Sequence, residues 1–143
     1  MTPRALERLD LLAAQKEAAL VEALSRHSRA VQHFQAQREM LASYYARLDA
    51  GWRRAGGVTA GDAARAARFG AQALAAMLQL DASLAAEQAR LMESASALAR
   101  LRAHRRALRE RLAAKRRAAA ARAEAKAAAD LPARGRVISL SDH

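Results

Sequence analysis

A chain of 143 residues with only five Phe, Trp and Tyr and no cysteine lacks the aromatics of an ordinary mixed α/β core and the thiols of a disulfide or thiolate metal site. The formal net charge is +11, and the window from Arg100 to Lys126 carries +9 of it, eleven Arg and Lys against Glu110 and Glu124. That is a basic arm on a nearly neutral body, and no run approaches the ~18 apolar residues of a membrane span.

The first element begins at a clear signal. Thr2 can cap and Pro3 suits the first helical position. MTPRALERLD has no apolar stretch after its first basic residue and does not read as a signal peptide. Together these features predict a cytoplasmic protein. No further Gly or Pro occurs before Gly51, and apolar positions step by seven through Leu6, Ala13, Leu20, His27, Phe34, Leu41 and Leu48. Leu9, Leu24, Val31, Tyr44 and Tyr45 flank that series. The spacing predicts a helix over about 3–50 with a heptad seam.

GWRRAGGVTAGD, Gly51 to Asp62, holds four glycines within eleven residues and predicts a turn over about 51–59. Thr59 with Asp62 three residues on reads as a weak capping box. A second helix is expected over about 60–130, with Met77, Leu84, Leu91 and Leu98 on its seam and Leu74, Leu80, Leu101, Leu108 and Leu112 beside it. The seam then fails, with Arg105, Lys115 and Arg122 standing where apolar residues belong. Folding the helices antiparallel sets Ala50 near Thr59, Leu41 near Arg68 and Phe69, and Leu6 near Ala103. Residues from about Leu112 to Asp130 then overhang as a basic, Ala-rich helix. The tail 132–143, with Pro132 and Gly135, is expected to be flexible. The fold expected is all-α: two long helices in one antiparallel coiled-coil hairpin domain over 1–131, the second helix overhanging.

No catalytic constellation is visible, so an enzyme is not expected, nor a cofactor. His27, His33 and His104 lack a second ligand at a convincing spacing, and His27, on the seam, reads as a polar core residue rather than a metal ligand. AGGVTAGD has the glycines of a phosphate loop but no Lys-Ser/Thr pair and no preceding strand. Arg102, Arg105, Arg106, Arg109 and Arg116 recur at helical spacing and make a broad positive face. Three readings of it stand: a solvated helix, a nucleic-acid contact through phosphates alone, or a surface for a protein partner with an acidic lumen or groove. The arm holds no aromatic to stack bases and no Asn or Gln to read them.

QREMLASYYARL, Gln37 to Leu48, places Tyr44 beside Tyr45. Neighbours on a helix point about 100° apart, so the two rings cannot both face inward. At least one should be exposed, as interface anchors are before a partner arrives.

From Leu6 to about Lys126 the chain resembles the FliJ family of flagellar type III export proteins. The likeness lies in length, two unequal helices split by a Gly-rich turn, and a basic second helix. More specifically, that family carries Gln, three residues, Leu, two residues, Tyr, three residues, Tyr on one face of its first helix. Gln37, Leu41 and Tyr44 fill the first three places, and Leu48 stands at the fourth. Phe69 and Ala76 match a Phe and a small residue of the family's second helix, whereas Ala73 is smaller than the usual Leu and Leu80 stands where a polar ring can occur.

The resemblance implies a non-enzymatic stalk that couples the export apparatus. Gln37, Leu41, Tyr44, Leu48, Phe69 and Ala76 would dock the cytoplasmic domain of the export-gate protein, FlhA in that family. The end bearing both termini, with Arg102, Arg105, Arg106, Arg109 and Arg116, would enter the hexameric export ATPase, FliI in that family, and stimulate it. Escort of export chaperones and peripheral association with the inner membrane at the export apparatus are implied as well. The equivalent stalk of a virulence-type secretion system, or a basic coiled coil that binds nucleic acid, is the alternative.

Overall fold

The computed structural model describes residues 1–54, 56 and 59–141, with side-chain surroundings as far as residue 131. It contains two helices, α1 (Pro3–Arg54) and α2 (Ala60–Ser141). They pack against each other as an all-α helical hairpin, with no strand among the described residues.

Both helix starts follow from their caps. Thr2 Oγ1 accepts from the Ala5 amide at 3.2 Å and the Thr2 carbonyl accepts from Leu6 at 3.1 Å. Thr59 repeats the arrangement, with Oγ1 to the Asp62 amide at 3.1 Å and its carbonyl to Ala63 at 3.0 Å. Each cap satisfies amides that the first turn leaves without an intrahelical acceptor.

The first helix does not stop at Ala50. It continues through Gly51 and Trp52 to Arg54. One glycine inside a helix costs about 1 kcal/mol relative to alanine, which the flanking turns can absorb. Nothing lies within 4 Å of a Cβ built on Gly51, so no contact required a glycine there. Asp49 and Arg53 pair at 3.2 Å one turn apart across it, and Arg53 and Arg54 sit in the last turn, where cations meet the carbonyl end of the helix. Residues 55, 57 and 58 of the expected turn lie outside the described residues.

At the other end, α2 runs to Ser141 rather than ending near 130. The backbone of 132–141, expected as part of a separate tail, therefore continues α2, while its side chains and residues 142 and 143 lie outside the described residues.

Backbone contacts divide the chain into two compact units, each holding part of both helices: Ala19–Leu98, and Met1–Ala18 with Ala99–His143. In the first, Val31, Ala73 and Leu98 are buried, and Leu20, His27, Phe34, Leu41, Leu48, Met77, Leu84 and Leu91 are half-buried. The seam read by sevens is therefore the inward face. In the second, Leu6, Ala13 and Leu108 are buried, and Leu6 is 1% exposed. The flanks are uneven: Val31 and Leu108 are buried, whereas Leu9 and Leu74 are exposed. Among the described residues, no helix is long and apolar enough to cross a membrane.

Candidate functional site

The pairing of the helices is shifted from the register expected. Tyr44, not Leu41, meets Phe69, with ring centroids 5.8 Å apart and planes at 73°. Leu41 lies instead by Ala76 and Leu80. In the other unit Asp10 reaches Arg105 and Glu7 reaches Arg116, farther along α2 than a pairing of Leu6 with Ala103 allows. The cause is the added turn of α1. Its end moved from Ala50 to Arg54 while α2 still begins at Ala60, so cross-helix partners slide along α2: Tyr44 meets Phe69 rather than residue 65, and Asp10 meets Arg105 rather than residue 99.

In the unit 19–98, Tyr44 and Tyr45 take different surroundings. Tyr44 is 49% exposed and leans edge-on against Phe69, a geometry favoured by the ring quadrupoles. Tyr45 is half-buried over Gly70, where a built Cβ would stand 3.4 Å from the ring. Adjacent tyrosines thus pack on adjacent residues of α2, one ring remaining open to solvent.

Beside Tyr44 runs an open groove of about 650 Å³ lined by Phe34, Gln37, Met40, Leu41 and Tyr44 from α1 and Ala76, Gln79, Leu80 and Ser83 from α2. It brings together four of the six residues expected for gate docking: Gln37, Leu41, Tyr44 and Ala76. Phe69 joins through its contact with Tyr44. Leu48 is half-buried and does not line the groove. Met40, Gln79 and Ser83 were missed by sequence reasoning. Met40 shares an edge of α1 with Gln37 and Tyr44, at steps of three and four, so the signal was present.

Polar pairs cross the same unit. His27 Nδ1 donates to Glu87 Oε2 at 2.7 Å, and Arg90 donates to the other oxygen at 2.8 Å. These bonds, the one from His27 first, hold the Glu87 carboxyl below its usual value. The seam histidine is therefore a partnered polar residue. Arg38 pairs with Asp81.

In the unit formed by 1–18 and 99–143, Arg102, Arg106, Arg109 and Arg116 are exposed, and four of the five expected arginines also meet carboxylates of α1. Arg105 occupies the seam with a side chain only 15% exposed, and Nε donates to Asp10 Oδ1 at 3.0 Å while Nη1 bonds Glu17. Arg102 donates to Glu17 at 2.9 Å, Arg109 lies 3.7 Å from Asp10, and Arg116 pairs with Glu7 at 2.7 Å. Lys115 donates to the Met1 carbonyl. The expected unpaired stretch therefore starts later than Leu112, because Lys115 reaches Met1, just before α1, and Arg116 reaches Glu7 of α1.

Asp10 and Glu17 are seven residues apart, so they recur at one edge of the seam and bracket the arginine. Bonds from Arg105 lower the Asp10 carboxyl, and bonds from Arg105 and then Arg102 lower that of Glu17. The same two carboxylates raise the Arg105 guanidinium. Arg102, Arg105, Arg106 and Arg109 line a cleft of about 570 Å³ with Glu17 and Ala99. Arg106 takes no part in the ion pairs named. Asp10 and Glu17 were not anticipated, although their heptad spacing opposite a basic seam position was a readable sign.

In comparisons with known families, curated proteins and solved structures, nothing matches this chain.

Proposed function

We propose that this chain is a non-enzymatic stalk and coupling protein of type III protein export, of the flagellar kind or its virulence-type equivalent. The groove between α1 and α2 would dock the cytoplasmic domain of the export gate, and the arginine-bearing unit would engage the hexameric export ATPase. The observation that carries this reading is the convergence at one groove of Gln37, Leu41, Tyr44 and Ala76, residues singled out from sequence for that role. The groove is mainly apolar, and Tyr44 presents an aromatic edge already braced by Phe69. Braced aromatics lose little side-chain freedom on binding and make effective anchors.

The ion pairs favour a protein partner over nucleic acid for the basic unit. Arg102, Arg105 and Arg116 are each committed to a carboxylate of α1, which reduces the cations ready to replace counterions along a phosphate backbone.

The test uses the purified chain and the cytoplasmic domain of a cognate export-gate protein. Tyr44→Ala and Phe69→Ala should each weaken binding about tenfold with helicity unchanged by circular dichroism. Unchanged affinity in both variants sinks the gate assignment. Stimulation of the cognate export ATPase by the full chain, lost on truncation after Leu112, tests the other unit. A rate unaffected at every concentration removes the stalk reading.

A further inference from the structure

The hairpin uses one face of α2, and within the unit 19–98 that helix carries a second apolar face directed to solvent. Leu74, Leu78 and Met92 are 52%, 70% and 73% exposed. Between and around them Ala71, Ala82, Ala85 and Ala89, also exposed, continue the line at steps of three and four. From Ala71 to Met92 the line reads 71, 74, 78, 82, 85, 89, 92, the periodicity of a helix–helix seam. A polar surface helix has no need of such order, since scattered exposed leucines would do.

We infer that this face of α2 is a self-association surface, on which a second copy of the chain packs antiparallel about a two-fold axis near residue 80. The argument for a second copy is the near-symmetry of the stretch from Ala71 to Ala89 about that point. Laid antiparallel on itself, it sets Leu78 against Ala82, Leu74 against Ala85 and Ala71 against Ala89. Each leucine meets an alanine, so large side chains fill the space left by small ones and the helix axes can approach to about 8 Å.

Charge supports the same register. Arg68 and Glu93 are exposed on one flank of the line. In the antiparallel arrangement Arg68 of one copy comes beside Glu93 of the other, and the symmetry repeats the pair at the far end. An isologous contact needs this self-complementarity, and two ion pairs at the rim set register more than they add affinity. From Arg68 to Glu93 the face extends about 38 Å along the helix.

The full chain tests this directly. Its mass, measured by sedimentation equilibrium from low to high micromolar concentration, should rise from the 15.4 kDa of one chain to twice that value. Leu74→Glu with Leu78→Glu should hold the chain at the single mass, with helicity unchanged because both side chains lie outside the hairpin seam. Arg68→Glu alone and Glu93→Arg alone should each weaken association about tenfold, and the two together should restore it. A wild-type chain that stays at the single mass throughout overturns the proposal. So does a dimer indifferent to Leu74→Glu with Leu78→Glu, which must use another surface. Single charge reversals that the double reversal does not repair overturn the antiparallel register.

Discussion

Arg105 stands on the apolar seam of α2 and donates from Nε to Oδ1 of Asp10, seated on α1, at 3.0 Å. A charge at a seam position is tolerated only when its partners come with it. Glu17, one heptad beyond Asp10, supplies the second carboxylate. The sequence shows a seam that fails at Arg105, whereas the structure shows one that continues there in ionic form.

Removing one member should therefore hurt more than removing the layer. Arg105→Ala removes the partner that Asp10 and Glu17 share, leaving them only the more exposed Arg109 and Arg102, and should lower the melting temperature clearly, whereas Arg106→Ala should change it little. The triple variant Asp10→Leu, Glu17→Leu, Arg105→Leu should recover most of the loss, since apolar residues of similar size replace such layers well. Thermal melts followed by circular dichroism at one salt concentration check this. Equal melting temperatures for Arg105→Ala and Arg106→Ala would remove the layer's role.

Acid should act through the same carboxylates. Asp10, Glu17 and Glu87 are held below their ordinary values of 3.8, 4.5 and 4.5. A carboxyl whose folded value is depressed adds stability that is present above its unfolded value and lost as pH falls through the folded one. Stability from these groups should hold steady from neutral pH down to the ordinary carboxylate range, then decline as pH falls below it. Glu87→Gln and Glu17→Gln should flatten that decline. Urea midpoints measured at stepped pH give the curve, and a midpoint insensitive to acid contradicts the pairing.

Leu6→Ala should cost about 2–5 kcal/mol, the range for truncating a buried leucine, because Leu6 is almost wholly enclosed. Leu11→Ala, at an exposed position of the same helix, should stay within about 0.5 kcal/mol. Denaturant titrations of the two variants should separate them. Similar midpoints would mean that the N-terminal end of α1 does not pack.

Gly51→Ala distinguishes a helix that passes through Gly51 from one that ends there. Inside a helix, with nothing within 4 Å of the new Cβ, alanine should stabilise by about 0.5–1 kcal/mol. At a left-handed terminal position it would destabilise instead. The sign of the shift in melting temperature decides.

The sequence by itself determined the fold class and the inward faces. Steps of seven from Leu6 to Leu48, caps at Thr2 and Thr59, and a cluster of glycines leave an α-hairpin as the arrangement that buries those stripes. It also determined that Tyr44 and Tyr45 must diverge, because helical geometry sets the angle between neighbours.

What only the tertiary structure decided was register and partnership. A single glycine, Gly51, is a weak local signal that packing on either side can override, and extending α1 by one turn moved Phe69 from Leu41 to Tyr44. The fate of the arginines was equally hidden. Helical spacing shows that Arg102, Arg105, Arg109 and Arg116 share a broad face, but whether they meet solvent or carboxylates depends on which residues of α1 lie opposite. That is a long-range fact, fixed where Asp10, Glu17 and Glu7 come to rest across the seam.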